Sequence, residues 1–191
     1  MSGKIWTPGI TYEEAVAKAQ NLRSTSSYLQ KIPVDIEEFL QFDLGIDIVP
    51  MPGLKDRVQA EAMISLDFTT IYVDNASYLN DKQWNRLKFS LAHELGHCVL
   101  HKDFLEQQNI SSPEQWVNFM MDIQLKYGYI ENHANWFAGE ILVPYAELEK
   151  AIQSTPRPTI NSLSRKFEVS TTMIEKRLQS KDIARIIQEI E

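Results

Sequence analysis

The run Leu91-Ala92-His93-Glu94-Leu95-Gly96-His97-Cys98-Val99-Leu100-His101 carries an H-E-x-x-H pattern within a stretch whose apolar residues have helical spacing. On an α-helix, residues four apart share a face about 6 Å apart along the axis, so His93 and His97 can both direct a ring nitrogen at one ion. Two imidazoles are half of a tetrahedral zinc site. Glu94 projects beside the same edge and can take a proton from a water at the metal without ligating the metal itself. The triplet is the signature of a helix-borne metalloprotease site. All four histidines of the chain fall between His93 and His133, and the motif lies among Leu87, Phe89, Leu91, Val99 and Leu100. Imidazoles in so apolar a helix need a metal or a hydrogen-bonding network to offset their desolvation. The expected cofactor is Zn2+, although Mn2+ accepts the same ligand types.

Around this stretch the pattern predicts a helix from about Lys82 to His101, capped by Asn80 or Asp81. Trp84, Leu87, Leu91, Leu95 and Cys98 form its buried stripe. Three strands are expected upstream, at Ile46 to Pro50, Ala60 to Leu66 and Thr69 to Asn75, the last two joined tightly at Asp67-Phe68 as a hairpin. The turn Met51-Pro52-Gly53 separates the first strand from the second. Nearer the N-terminus, Thr11-Tyr12-Glu13-Glu14 reads as a capping box opening one helix, and Pro33 to Leu40 as a second helix stopped at Gly45. Downstream, residues 102–129 read as a long linker containing a helix start at Ser112-Pro113-Glu114. That segment fits either a lid over the cleft or a packed surface helix.

Bulk properties narrow the function. With 191 residues, 43% hydrophobic and 24% charged, the chain can bury a full core. A net charge of −7 argues against broad nucleic-acid or anionic-membrane binding. The single cysteine, Cys98, excludes an internal disulfide and suits a reducing cytoplasm. It lies some 140° round the helix from His93, so packing is its expected role. The N-terminus lacks the apolar core of a signal peptide, and no stretch approaches a membrane span, so a cytoplasmic location is expected.

The third metal ligand must come from a later element. His101 lies about 12 Å along the axis from His93, too far to share one ion, and reads as a helix-end histidine. The metzincin pattern with a third histidine is absent. The stretch Glu131-Asn132-His133-Ala134-Asn135-Trp136-Phe137-Ala138 forms a helix stopped by Pro144, and on it Glu131 and His133 point about 200° apart. Only one of them can face the metal. Small Ala134 and Ala138 allow close packing against the motif helix, which favours Glu131 over His133. Asn135, one turn on, can hydrogen-bond a ligand histidine's second nitrogen. Tyr129, Tyr127 and His133 are candidates to stabilise an oxyanion in the transition state.

Taken together, Leu91-Ala92-His93-Glu94-Leu95-Gly96-His97 with Leu100-His101, and Glu131-x-x-Ala134-Asn135-x-Phe137-Ala138 with Leu142-x-Pro144, resemble the ImmA/IrrE family of metallopeptidases. The likeness extends loosely upstream and covers most of residues 30–145. His133 stands where Glu or Gln is usual, and Val143 where Met is common. The resemblance implies a gluzincin-like zinc peptidase that cleaves a helix-turn-helix repressor or antitoxin, derepressing genes in a stress, phage or mobile-element response. The expected fold is α+β and zincin-like, with a small three-stranded sheet, an active-site helix and a helical C-terminal appendage. The expected division is a metallopeptidase domain at 1–150 and a helix-turn-helix-like tail at 151–191. In that tail Arg165, Lys166, Lys176 and Arg177 are offset by Glu168, Glu175 and an acidic final helix, which argues for partner docking over direct DNA binding. The competing expectation is a non-enzymatic regulator with a structural zinc, binding DNA or a repressor through its C-terminal helices.

Overall fold

A computed structural model describes residues 9–126 and 128–179. Thr11 closes a capping box with Glu14 and opens α1 (Tyr12–Ser24). Helix α2 (Ser27–Gln30) and α3 (Ile36–Glu38) follow, and α3 runs into a π turn over Phe39–Asp43. Gly45, at φ +65°, ends the turn in the left-handed region that glycine adopts without strain. The sheet then forms from β1 (Asp47–Met51), β2 (Ala62–Ile64) and β3 (Thr70–Asp74) in the order β1-β3-β2. Strand β1 runs parallel to β3, whereas β2 and β3 form the expected antiparallel hairpin. Between β1 and β2 the expected turn is followed by a short helix, α4 (Leu54–Val58), which buries Leu54 and Val58.

Helix α5 (Asn75–Tyr78) and a 3-10 turn capped by Asn80 lead into α6 (Trp84–Glu106), which carries the motif. Leu87, Leu91 and Leu95 are fully buried along its inner face. Each such side chain contributes about 1.5–3 kcal/mol of burial free energy. Helix α6 continues five residues beyond its expected end at His101, because Phe104 and Leu105 extend the buried stripe. Residues 102–129 are therefore largely helical and not a linker. Pro113 starts α7 (Pro113–Lys126), whose Trp116 and Ile123 are buried.

Helix α8 (Gly128–Leu142) crosses α6, and α9 (Tyr145–Ser154), α10 (Ile160–Phe167) and α11 (Thr171–Leu178) complete the described chain. Gly96 makes the α6–α8 crossing close, since a Cβ there would sit 3.0 Å from the Ala134 Cα. Helices α10 and α11 turn sharply at Glu168, with φ +51°. Their Leu163, Phe167, Val169 and Ile174 join the same buried core as α6 and α8. Tyr127 and the acidic helix expected after Leu178 lie outside the described residues. Among the described residues no helix is long and apolar enough to cross a membrane. The architecture is the expected α+β one, mostly helical around a three-stranded sheet.

Candidate metal centre

Helix α6 supplies His93 and His97 from one face, and α8 brings Glu131 up from the other side of the crossing. His93 Nε2 lies 3.1 Å from His97 Nε2 and 3.2 Å from Glu131 Oε2, and His97 Nε2 lies 3.5 Å from Glu131 Oε1. Bonds of about 2.0–2.2 Å at tetrahedral angles would hold such donors about 3.3 Å apart, so the three atoms have zinc's spacing. The outer nitrogens explain the arrangement further. His93 Nδ1 pairs with Asn135 Oδ1 at 3.0 Å, which puts the ring proton on Nδ1 and leaves a lone pair at Nε2. His97 Nδ1 pairs with His101 Nδ1 at 3.1 Å. The three atoms converge at a distance that fits a divalent metal between them.

Electrostatics agree with that reading. Burial favours a neutral Glu131, but its hydrogen bond to His93 and the nearby His97 outweigh burial and lower its pKa. Burial likewise lowers the His93 pKa, yet Glu131 and the charge of Glu94 more than reverse this. His97 is held neutral, mainly by burial and then by His93. Glu94 is pushed up to about 7, first by burial and also by the Glu131 charge, against the pull of His93 and of a backbone amide. That amide belongs to Ile64, whose N–H donates to Glu94 Oε2 at 2.9 Å. Glu94 is thereby fixed beside the centre with a pKa near neutrality, where a general base is most effective.

The cleft around these groups encloses about 360 Å³. Helix α6 lines it with Phe89, α7 with Met120 and Met121, and β2 with Ala62 and Met63. Strand β2 is an edge strand. Since Glu61 and Ser65 pair with β3, the groups of Ala62 and Ile64 face outward. Ile64 is occupied on both sides, by Glu94 and by the Trp116 Nε1–H, which donates to its carbonyl at 2.7 Å.

The remaining sequence candidates fall elsewhere. His133 is buried, with its Nδ1 3.3 Å from His101 Nε2, and stands outside the three-donor cluster. Tyr129 is 41% exposed and stacks edge-on against His133, away from the cleft lining. Cys98 packs against the core, its thiol pushed up to about 12 chiefly by burial. His101 corrects the sequence reading: it is not a helix-end residue but wholly buried within α6, held neutral at about 3 by burial and then by His133 and His93. Its spacing of four from His97 was the available signal. The roles of the Ile64 amide and of Trp116 had no signal, because both depend on how α6 and α7 lie against β2.

A motif helix crossed by a carboxylate-bearing helix, and set against the edge of a small mixed sheet, defines an α+β protein of the H-E-x-x-H metallopeptidase-like class. The chain belongs to the peptidase M78 family, matching the model of the IrrE N-terminal-like domain over residues 44–179. No curated protein matches it. Among solved structures it is similar in fold to a Mycobacterium tuberculosis transcriptional regulator, with a TM-score of 0.58 and 22% identity, covering 87% of this chain and 47% of that one. The chain thus spans about half the length of that protein.

Proposed function

We propose that this protein is a zinc-dependent endopeptidase of the cytoplasm that cleaves a partner transcriptional repressor or antitoxin. The observation that carries the reading is the placement of Glu94, pinned by the Ile64 amide beside three converging metal donors. A purely structural zinc site has no use for a second, non-ligating carboxylate held in this way. His93, His97 and Glu131 would hold the metal, which when bound would polarise a peptide carbonyl and acidify a water. Glu94 Oε1, which has no hydrogen bond among the described residues, would take the proton of the attacking water. As the water oxygen joins the carbonyl carbon and the C–N bond breaks, Glu94 would pass that proton to the leaving amine. The outward N–H and C=O of Ala62 offer an extended peptide a strand edge to pair with. Phe89, Met120 and Met121 give the cleft apolar walls.

The family to which the chain belongs supports a repressor as the substrate. The test is incubation of the zinc-loaded protein with the helix-turn-helix repressors encoded beside it, read by mass spectrometry of the products. A single cut by wild type, absent with a metal-retaining Glu94→Gln variant, is expected. An identical cut by Glu94→Gln would overturn the mechanism. The second reading, a non-enzymatic regulator, draws on the α10–α11 corner at Glu168. It predicts binding of DNA or intact repressor that is indifferent to Glu94→Gln.

A further inference from the structure

Behind the metal centre the four histidines form one continuous line of ring contacts: His93 to His97, His97 to His101, and His101 to His133. His101 is the link that the proposed chemistry leaves without a part. It is 0% exposed, and among the described residues its only polar partners are two other imidazoles, with His97 Nδ1 at 3.1 Å and His133 Nδ1 at 3.3 Å. We infer that His101 is a positioning residue that raises the metal affinity of the site by accepting the Nδ1 proton of His97, which leaves His97 Nε2 free to ligate. The inference rests on the reading of His97 as a metal ligand.

Each of the two contacts that His101 makes holds one proton, and a neutral imidazole has one N–H and one lone pair. When His97 donates its Nδ1–H to His101, its Nε2 turns a lone pair toward His93 and Glu131. His101, having accepted at Nδ1, carries its own proton at Nε2 and donates it to His133 Nδ1. Both contacts of His101 are then satisfied. In the reverse assignment His101 donates to His97, which moves the His97 proton to Nε2 and removes one of the three donors from the centre. That assignment satisfies the same two contacts, with His133 donating at Nδ1, but it takes the His97 lone pair from the centre, so only the first is compatible with a metal held by His97. Asn135 does the corresponding work for His93 with a single amide oxygen, at 3.0 Å. The two ligand histidines are thus set by different means, one at the exposed end of the cleft and one through the core.

The test compares His101→Asn with His101→Gln, measuring Zn2+ and Co2+ affinity by competition with a chelator and recording the visible spectrum of the Co2+ form. Asparagine places an acceptor oxygen near the position of Nδ1, facing His97, whereas glutamine places its amide near Nε2, facing His133. The two are similar in polarity. The expected result is tighter binding by His101→Asn than by His101→Gln, by about tenfold or more, with His101→Phe as weak as His101→Gln. Thermal unfolding of the metal-free forms should not follow this order. Equal affinities for Asn and Gln, or tighter binding by Gln, would overturn the inference. Failure of wild type to bind either metal would instead overturn the reading of the centre itself.

Discussion

Helix α8 carries two acidic side chains in the protein interior, Glu131 and Glu140, about two and a half turns apart, and their surroundings differ in kind. Glu140 is met by cations and donors from the protein: Arg177 Nη2 at 2.5 Å from Oε2 and Gln20 Nε2 at 3.0 Å from Oε1. Arg177 also donates to the Val143 carbonyl and lies 3.5 Å over the Tyr145 ring. That charge is closed within the fold and ties α1, α8 and α11 together. Glu131 faces two imidazoles and, among the described residues, no Lys or Arg within ion-pair distance. Glu140 is placed as a brace within the fold, and Glu131 as a candidate ligand beside two imidazoles.

Breaking the brace should give the largest effect on folding. Arg177→Met leaves Glu140 buried without its cation and is expected to cost about 3–5 kcal/mol in denaturant unfolding, with zinc stoichiometry unchanged. Loss of metal in this variant would show that the two ends of α8 are not independent. The next largest effect lies at the ligand end. In the metal-free protein Glu94 titrates at about 7 against an ordinary 4.5, so the folded state holds the proton more tightly than the unfolded chain. Its contribution is complete below pH 4.5 and is lost as pH rises to about 7, a fall on the order of 3 kcal/mol. Glu94→Gln cannot ionise, and its stability should be flatter across that range in a pH series of urea melts.

Trp116→Phe sharpens the contrast at the sheet edge. It removes the indole N–H from the Ile64 carbonyl and should cost about 1–3 kcal/mol, with metal affinity kept. Gly96→Ala is expected to have the smallest effect on stability, about 1–2 kcal/mol, because better helix propensity offsets part of the clash with Ala134. By pushing α8 from α6 it should nonetheless weaken zinc binding measurably in a chelator competition.

The ligand end was legible in the sequence and the brace was not. Residue spacing placed His93 and His97 on one face with Glu94 beside it, favoured Glu131 through the small residues Ala134 and Ala138, and put Asn135 within reach of one of the two histidines. The hairpin and the Thr11 capping box were equally local. By contrast, Glu140 and Arg177 pair across 37 positions, and Trp116 reaches Ile64 across 52. Such pairs depend on tertiary approach, which no local periodicity encodes. His101 falls between the two cases. Its spacing was visible, but its burial depended on α6 continuing to Glu106 and on α8 bringing His133 against it.

The central claim is that Glu131, and not Glu140, completes a metal centre with His93 and His97. The direct measurement is the metal content of wild type, Glu131→Gln and Glu140→Gln after zinc loading and desalting, read by elemental mass spectrometry. The account predicts one zinc per chain in wild type and in Glu140→Gln, and none in Glu131→Gln. One zinc retained in Glu131→Gln at wild-type affinity would contradict it.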